Sequence, residues 1–171
     1  MPTPSTPATD PGTTDDPPGG GPAPRALSEE ELDTLLRSQQ FGVLASVKRS
    51  GHPHLSTVLF HWSPRERIVR VSTTADRLKA RQLRRDPHTA LHVSGPDVWS
   101  FAVAEGDAVV SEPSTEPGDA VGRELLSMTP GFTDSGEEAA FLQQLVRERR
   151  VVVRIEVTRL YGTALDVPRG D

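Results

Sequence analysis

Cysteine is absent from the 171 residues. That removes disulfides, thiolate metal sites and cysteine nucleophiles, and it fits a cytoplasmic protein. Nowhere do about 18 apolar residues follow one another, so no membrane span is expected. The start shows no basic stretch followed by an apolar run, so no secretory signal is expected either. HExxH, Gly-x-Ser-x-Gly and GxxxxGK[ST] are all missing, which leaves zinc protease, serine hydrolase and P-loop chemistry without support. A basic surface is lacking too. The formal net charge is -5, which argues against general nucleic-acid binding.

Pro and Gly are present in number, 16 and 14, and they crowd into the first segment. Residues 1–26 are almost wholly Pro, Thr, Ser, Ala, Gly and Asp. They can bury too little apolar surface to offset ordering entropy, so a disordered leader is expected there. A folded domain follows over 27–166 and a short tail over 167–171.

Ser28 and Glu31 have capping-box spacing, and Leu32, Leu35 and Leu36 share one helical face, which predicts a helix over 29–38. Strands are predicted at 41–47, 54–62, 68–72, 89–94, 99–111 and 151–161, and helices at 75–85, 118–128 and 136–148. Lys48-Arg49-Ser50-Gly51, Ser63-Pro64-Arg65 and Gly95-Pro96-Asp97 are turns. Asp86-Pro87 ends the second helix, since the residue before proline avoids the α region. Gly106 marks a bulge or bend inside its strand. Tight turns and one inserted helix favour an antiparallel barrel over a parallel sheet, which would need long crossovers.

Five cations stand in nine residues, Arg77, Lys79, Arg81, Arg84 and Arg85, with only Asp76 to balance them locally. Like charges at i, i+4 weaken a helix. A helix N-terminus and the hydroxyls of Ser72, Thr73 and Thr74 lie beside them. Guanidinium groups grip a phosphate monoester in a fork. The residues alone leave two readings open, an anion site or a solvated basic face. A second candidate is Gly42 with the strand from His54 to Val58. There, alternation puts His54, Ser56 and Val58 on one face and Leu55, Thr57 and Leu59 on the other. Trp99 and Phe101 share a strand face and suit an aromatic ligand, a dimer contact or the core equally. His52 and His54 have metal-compatible spacing but no cysteine or carboxylate cluster beside them, and no metal is expected.

Four segments carry a resemblance. They are Phe-Gly-Val-Leu-Ala-Ser-Val, Ser-Gly-x-Pro-x-Leu-Ser, the Arg-x-Lys-x-Arg-x-Leu-Arg-Arg-Asp-Pro run, and Trp-Ser-Phe-Ala-Val-Ala-Glu-Gly. In that order they resemble the pyridoxamine 5′-phosphate oxidase-like superfamily, and within it the actinobacterial branch that binds the deazaflavin coenzyme F420. The resemblance spans about residues 30–165. It implies a six-stranded antiparallel split β-barrel with peripheral helices, forming a homodimer with two cofactor sites at the interface. It assigns the cofactor phosphate to Arg77, Lys79 and Arg81, helped by Ser72 and Thr73. His54, Ser56, Thr57 and Val58 run along the ring, and Trp99 and Phe101 arrive from the partner subunit. Thr57 and Gln82 stand where asparagine is expected, and both keep hydrogen-bonding ability at the cofactor. The implied activity is hydride transfer between coenzyme F420 and a small organic acceptor. The alternatives are an FMN enzyme, a non-catalytic cofactor carrier, and an interaction module using the 77–85 patch on acidic partners.

Overall fold

The computed structural model describes residues 22–165 and 167. The chain order is β1 (Arg25–Ala26), α1 (Glu29–Ser38), β2 (Phe41–Val47), β3 (Pro53–Leu59), β4 (His61–Ser63), β5 (Ile68–Thr74), α2 (Leu78–Arg85), β6 (His88–Ser94), β7 (Ser100–Val110), α3 (Ala120–Ser127), α4 (Ser135–Arg147) and β8 (Arg150–Ala164). No helix among the described residues is long and apolar enough to cross a membrane.

The predicted first helix forms by the predicted device. Ser28 Oγ accepts from the Glu31 N–H at 3.3 Å, and the Glu31 carboxylate accepts from the Ser28 N–H at 2.8 Å. A hydrogen bond from Arg25, and then the Ser28 N–H, bring the Glu31 carboxyl down to about 2. Leu32, Leu35 and Leu36 are buried. Asp33 accepts the Trp62 indole N–H at 2.7 Å, which pins the helix across β4.

Every strand pairing is antiparallel, in the order β3-β2-β6-β7-β8-β5-β4, with β1 added on β8. The expected strand 54–62 is broken at Phe60. Its N–H goes to the Gln40 carbonyl at 3.1 Å, outside either ladder. The first part, β3, pairs with β2, and the second, β4, pairs with β5. Since β3 and β4 are the two ends of the sheet, the link through Phe60 curls the sheet back on itself as a split barrel. The curl does not close. β4 covers only Ile68–Arg70 of β5, so β5 from Val71 to Thr74 keeps an open edge. The outer edge of β3 is open too, and the gap between these two edges is the split.

Three of the boundary differences bear on the site or the ends of the fold. Arg25 and Ala26 pair with Ala164 and Thr163, so order begins before Leu27, because the end of β8 offers a free edge. Most of the expected leader, 1–21, and residues 166 and 168–171 of the expected C-terminal segments lie outside the described residues. β7 starts at Ser100, leaving Trp99 in the turn after Val98, whose φ is 60°. α2 starts at Leu78, not 75. The Thr74 hydroxyl donates to the Asp76 carboxylate and the Arg77 N–H to the Thr74 carbonyl at 3.2 Å, forming a turn that delays the helix. Gly106 is a bulge as predicted, with a register shift between Glu105 and Gly106. A Cβ there would lie 1.9 Å from the Glu156 carbonyl oxygen, so only glycine fits.

Inside the curl, Leu44, Val69, Val71, Leu91, Val93, Val153 and Ile155 are wholly buried. Each such side chain contributes about 1.5–3 kcal/mol of burial. A second, small core of Leu125, Leu145 and Val152 seats α3 and α4 on β8.

Candidate functional site

The five-cation segment divides in two. Arg84 donates to the Ser111 carbonyl at 2.8 Å and the Ala75 carbonyl at 3.5 Å, and Arg85 donates to the Val47 carbonyl. These two tie the end of α2 to the barrel. Arg77, Lys79 and Arg81 have no ion pair or side-chain hydrogen bond among the described residues. Arg77 is the N-cap of α2, and its own side chain caps nothing. Arg81 follows one turn later on the same face. Burial, then the charge of Arg77, push the Lys79 ammonium below its ordinary value. Asp76 is held below the usual carboxylate range chiefly by the Thr74 hydroxyl, with smaller help from Arg77 and Arg81. Arg77 and Arg81 on one face of the helix start, with half-buried Lys79 close to Arg77 and no ion pair among the described residues, could take an anion.

Lys79 lies three residues before Gln82, and so next to it on the helix surface. Gln82 is buried, and its Oε1 accepts from the buried Ser46 hydroxyl at 2.7 Å. The Ser46 oxygen faces His54 Nδ1 at 3.5 Å. α2, β2 and β3 are thus stitched through Gln82, Ser46 and His54. Nothing in the sequence joined Ser46 to this set beyond its inward phase with Leu44.

Strand alternation sorts the β3 residues. His54 and Ser56 are half-buried and Val58 is buried, while Leu55, Thr57 and Leu59 point outward. Three of the four β3 residues assigned to the ring share a face, and Thr57 does not. Its backbone, however, lies on the open edge of the split. Ser56 Oγ is buried and has no hydrogen-bond partner among the described residues. A buried hydroxyl left unpaired is costly, and a ligand atom in the split would satisfy it. On β2, a Cβ at Gly42 would meet Leu91 Cδ1 at 2.9 Å and the His92 carbonyl at 3.0 Å, so this glycine serves the β2–β6 packing. His52 is exposed beside Ser50, whereas His54 turns toward Ser46.

Ser72 and Thr73 were expected to act together. β5 alternation separates them: Thr73 is buried, and Ser72 faces the other way, accepting from Arg150 at 3.4 Å. Trp99 and Phe101 are far from the cations. Phe101 pairs with Thr163 near one end of β7, whereas Arg84 reaches Ser111 just past the other end. Ten residues of strand, roughly 33 Å, separate Phe101 from that Arg84 anchor. Trp99 is 50% exposed, and Phe101 stacks on His92 with ring centroids 5.2 Å apart. The outward face of β2–β3 carries Phe41, Leu55 and Leu59, each about 60% exposed, with Phe41 and Leu59 opposite one another.

A cleft of about 900 Å³ lies between the end of α1, β4 and the α3–α4 pair. Leu59 and Phe60 lie on one side and Ser72 on the other, so both edges of the split reach it. Its far polar wall is Arg150, bound to Glu148 at 2.7 Å, with Gln144 donating to the same carboxylate at 2.7 Å. Sequence reasoning missed Arg150 because its partner Ser72 lies 78 residues away.

Comparison with solved structures agrees with this architecture. A conserved hypothetical protein of Mycobacterium tuberculosis is 25% identical over 85% of this chain and 91% of its own, with a TM-score of 0.67. An F420 reductase is 24% identical over 75% of this chain and 94% of its own, with a TM-score of 0.52. A pyridoxamine 5′-phosphate oxidase-related, FMN-binding protein from Nostoc punctiforme is 14% identical over 78% of this chain and 80% of its own, with a TM-score of 0.54. The pyridoxamine 5′-phosphate oxidase family matches residues 28–164, nearly the whole described chain, with the split and the cation cluster inside the match. The chain therefore belongs to the pyridoxamine 5′-phosphate oxidase family.

Proposed function

We propose that this chain is an oxidoreductase that holds a phosphate-bearing flavin-type cofactor in the split, coenzyme F420 ahead of FMN. On this reading it passes a hydride to a small organic acceptor. The observation that carries the proposal is that Arg77, Lys79 and Arg81, at the start of the helix that follows β5, have no ion pair among the described residues. The buried Ser56 hydroxyl on β3, without a hydrogen-bond partner among the described residues, is a second supporting feature.

Arg77, Lys79 and Arg81 take the phosphate, which relieves their mutual repulsion. Backbone N–H groups on the open edge of β3 would offer hydrogen bonds to the cofactor's ring system. Ser56 Oγ would be a further donor. The Ser46 hydroxyl donates to Gln82 Oε1 at 2.7 Å and its oxygen faces His54 Nδ1 at 3.5 Å, which positions the His54 ring along β3. When bound, the cofactor supplies the hydride, and the protein supplies position and electrostatics. The F420 preference draws on the branch resemblance and on the F420 reductase among the similar structures.

Trp99 and Phe101 complete the site from a second subunit, since roughly 33 Å of strand separates Phe101 from the Arg84 anchor of its own chain. The outward patch of Phe41, Leu55 and Leu59 is the proposed dimer face. Leu55→Glu is expected to convert a dimer to a monomer in analytical ultracentrifugation. A wild-type monomer would remove the shared site.

The deciding experiment titrates the purified protein with F420 and, separately, with FMN, following fluorescence quenching. Tighter binding of F420 is expected. Tighter FMN binding reverses the preference while keeping the phosphate clamp, and binding of neither sinks the proposal. Tight binding without turnover on any acceptor would make the chain a carrier.

A further inference from the structure

We infer that the cleft between α1, β4 and the α3–α4 pair is the acceptor pocket, and that it selects an uncharged, mainly apolar molecule. The inference rests on the proposed redox reading and extends it to the class of substrate.

Size comes first. About 900 Å³ is at the upper end of what drug-sized ligands occupy. Place comes second. Leu59 and Phe60 end one edge of the split and Ser72 sits on the other, and all three line the cleft. A molecule seated there faces the split directly, without crossing the barrel wall. Arg77, Lys79 and Arg81 do not line it, so the cleft and the phosphate clamp are separate compartments.

The charge preference follows from the walls. Leu36, Trp62, Leu125, Met128, Phe141 and Leu145 give an apolar lining. The charged groups among them are already matched. Arg150 Nε is held by Glu148 Oε2 at 2.7 Å, and Gln144 occupies Glu148 Oε1 at 2.7 Å. Arg37 is held by Asp33 at 2.8 Å. Hydrogen bonds from Gln144 and Arg150 hold the Glu148 carboxyl below the usual range, so the pair stays ionised near neutrality and sums to zero. An entering carboxylate or ammonium would lose hydration and find every opposite charge engaged. A neutral molecule with a carbonyl-type acceptor meets free donor capacity on Arg150 and Ser72 at no such penalty. The contrast with the unpaired clamp is internal to the molecule: one compartment is built for a dianion, the other against any ion.

The test uses the full chain and a matched pair of fluorescent probes. N-phenyl-1-naphthylamine is neutral, and 1-anilinonaphthalene-8-sulfonate is its anionic counterpart. Wild type is expected to bind the neutral probe at least tenfold tighter. Gln144→Trp and His61→Trp, both exposed on the cleft wall, should each weaken the neutral probe by tenfold or more while circular dichroism and melting stay unchanged. Glu148→Gln leaves Arg150 unmatched and should move the preference toward the sulfonate by about tenfold. Equal binding of both probes by wild type, or no response to Glu148→Gln, overturns the charge rule. Saturating F420 or FMN should leave the neutral probe bound. Competitive displacement would show that the cleft is the cofactor's own seat and overturn the inference. If neither cofactor binds while the neutral probe does, the redox reading fails and the cleft stands as a site for neutral ligands.

Discussion

Two groups of arginines flank the same strand and behave oppositely. Beyond the C-terminal end of β5, Arg77 and Arg81 stand with Lys79 and have no ion-pair partner among the described residues. On the strand itself, Arg70 meets Glu124 at 2.9 Å and Glu66 at 2.9 Å, and across the ladder Arg154 makes a two-pronged contact with Glu124. A cation with its carboxylate in place is a fastener. A cation without one, in a chain of net charge -5 with acids to spare, is on the proposed reading a receptor. The fasteners hold α3 against β5 and β8, which fixes the wall of the cleft. The receptors hold nothing.

The sharpest way to break the comparison is to remove the shared carboxylate. Glu124→Ala would leave Arg154 uncompensated and Arg70 with Glu66 alone, in a largely buried setting. A loss of about 3 kcal/mol is expected, seen as a fall of roughly 5–10 °C in Tm, with F420 affinity at the clamp little changed. The same pair sets an acid limit. Burial pushes the Glu124 carboxyl up, but hydrogen bonds from Arg154 and Arg70 overcome this and hold it below the usual range. A lowered carboxyl stabilises the fold at every pH above its unfolded value, and that contribution is lost as pH falls through the folded value. The stability gap between wild type and Glu124→Gln should therefore be full at neutrality and shrink below about pH 4. A gap independent of pH would show that the carboxylate charge is not what holds α3.

The opposite pattern is expected of Lys79→Ala. Losing one charge-assisted contact to a phosphate costs about 1.5–3 kcal/mol, or roughly 10–100-fold in affinity for F420 by fluorescence titration. Thermal stability should hold or rise slightly, since removing one of several like charges relieves repulsion of a few tenths of a kcal/mol. Unchanged affinity would mean that the three cations are a solvated face after all.

How legible this division was depends on range. The capping box, the buried face of α1, the Gly106 bulge and the antiparallel pairing came from local pattern, because each is settled within a few residues. The break at Phe60 did not, since a strand that changes partners keeps its alternation on both sides of the break. Trp99 fell outside β7 because the Gly95-to-Val98 turn is one residue longer than the pattern implied. The cations were visible as a group, but their partition was not. Whether an arginine is a fastener depends on a carbonyl or carboxylate brought close by the fold, such as Glu124, 54 residues from Arg70. The cleft had no signature at all, because its lining comes from five separate segments.

The smallest expected effect is the most discriminating, because it divides one run of sequence. Arg84 and Arg85 belong to the same motif as Arg77, Lys79 and Arg81, and a purely electrostatic patch would use all five alike. In the structure they spend their guanidinium groups on the carbonyls of Ala75, Ser111 and Val47. Those contacts are exposed, so Arg84→Met and Arg85→Met should each cost no more than about 1 kcal/mol of stability. F420 affinity should stay within about twofold at 150 mM salt, where fields from charges more than about 8 Å away are screened. A loss of affinity matching that of Lys79→Ala would turn the clamp into a diffuse basic patch. Affinity that holds, with a slightly lower Tm, confines the receptor to the first turn of α2, where the helix N–H groups add their own positive end to the three unpaired side chains.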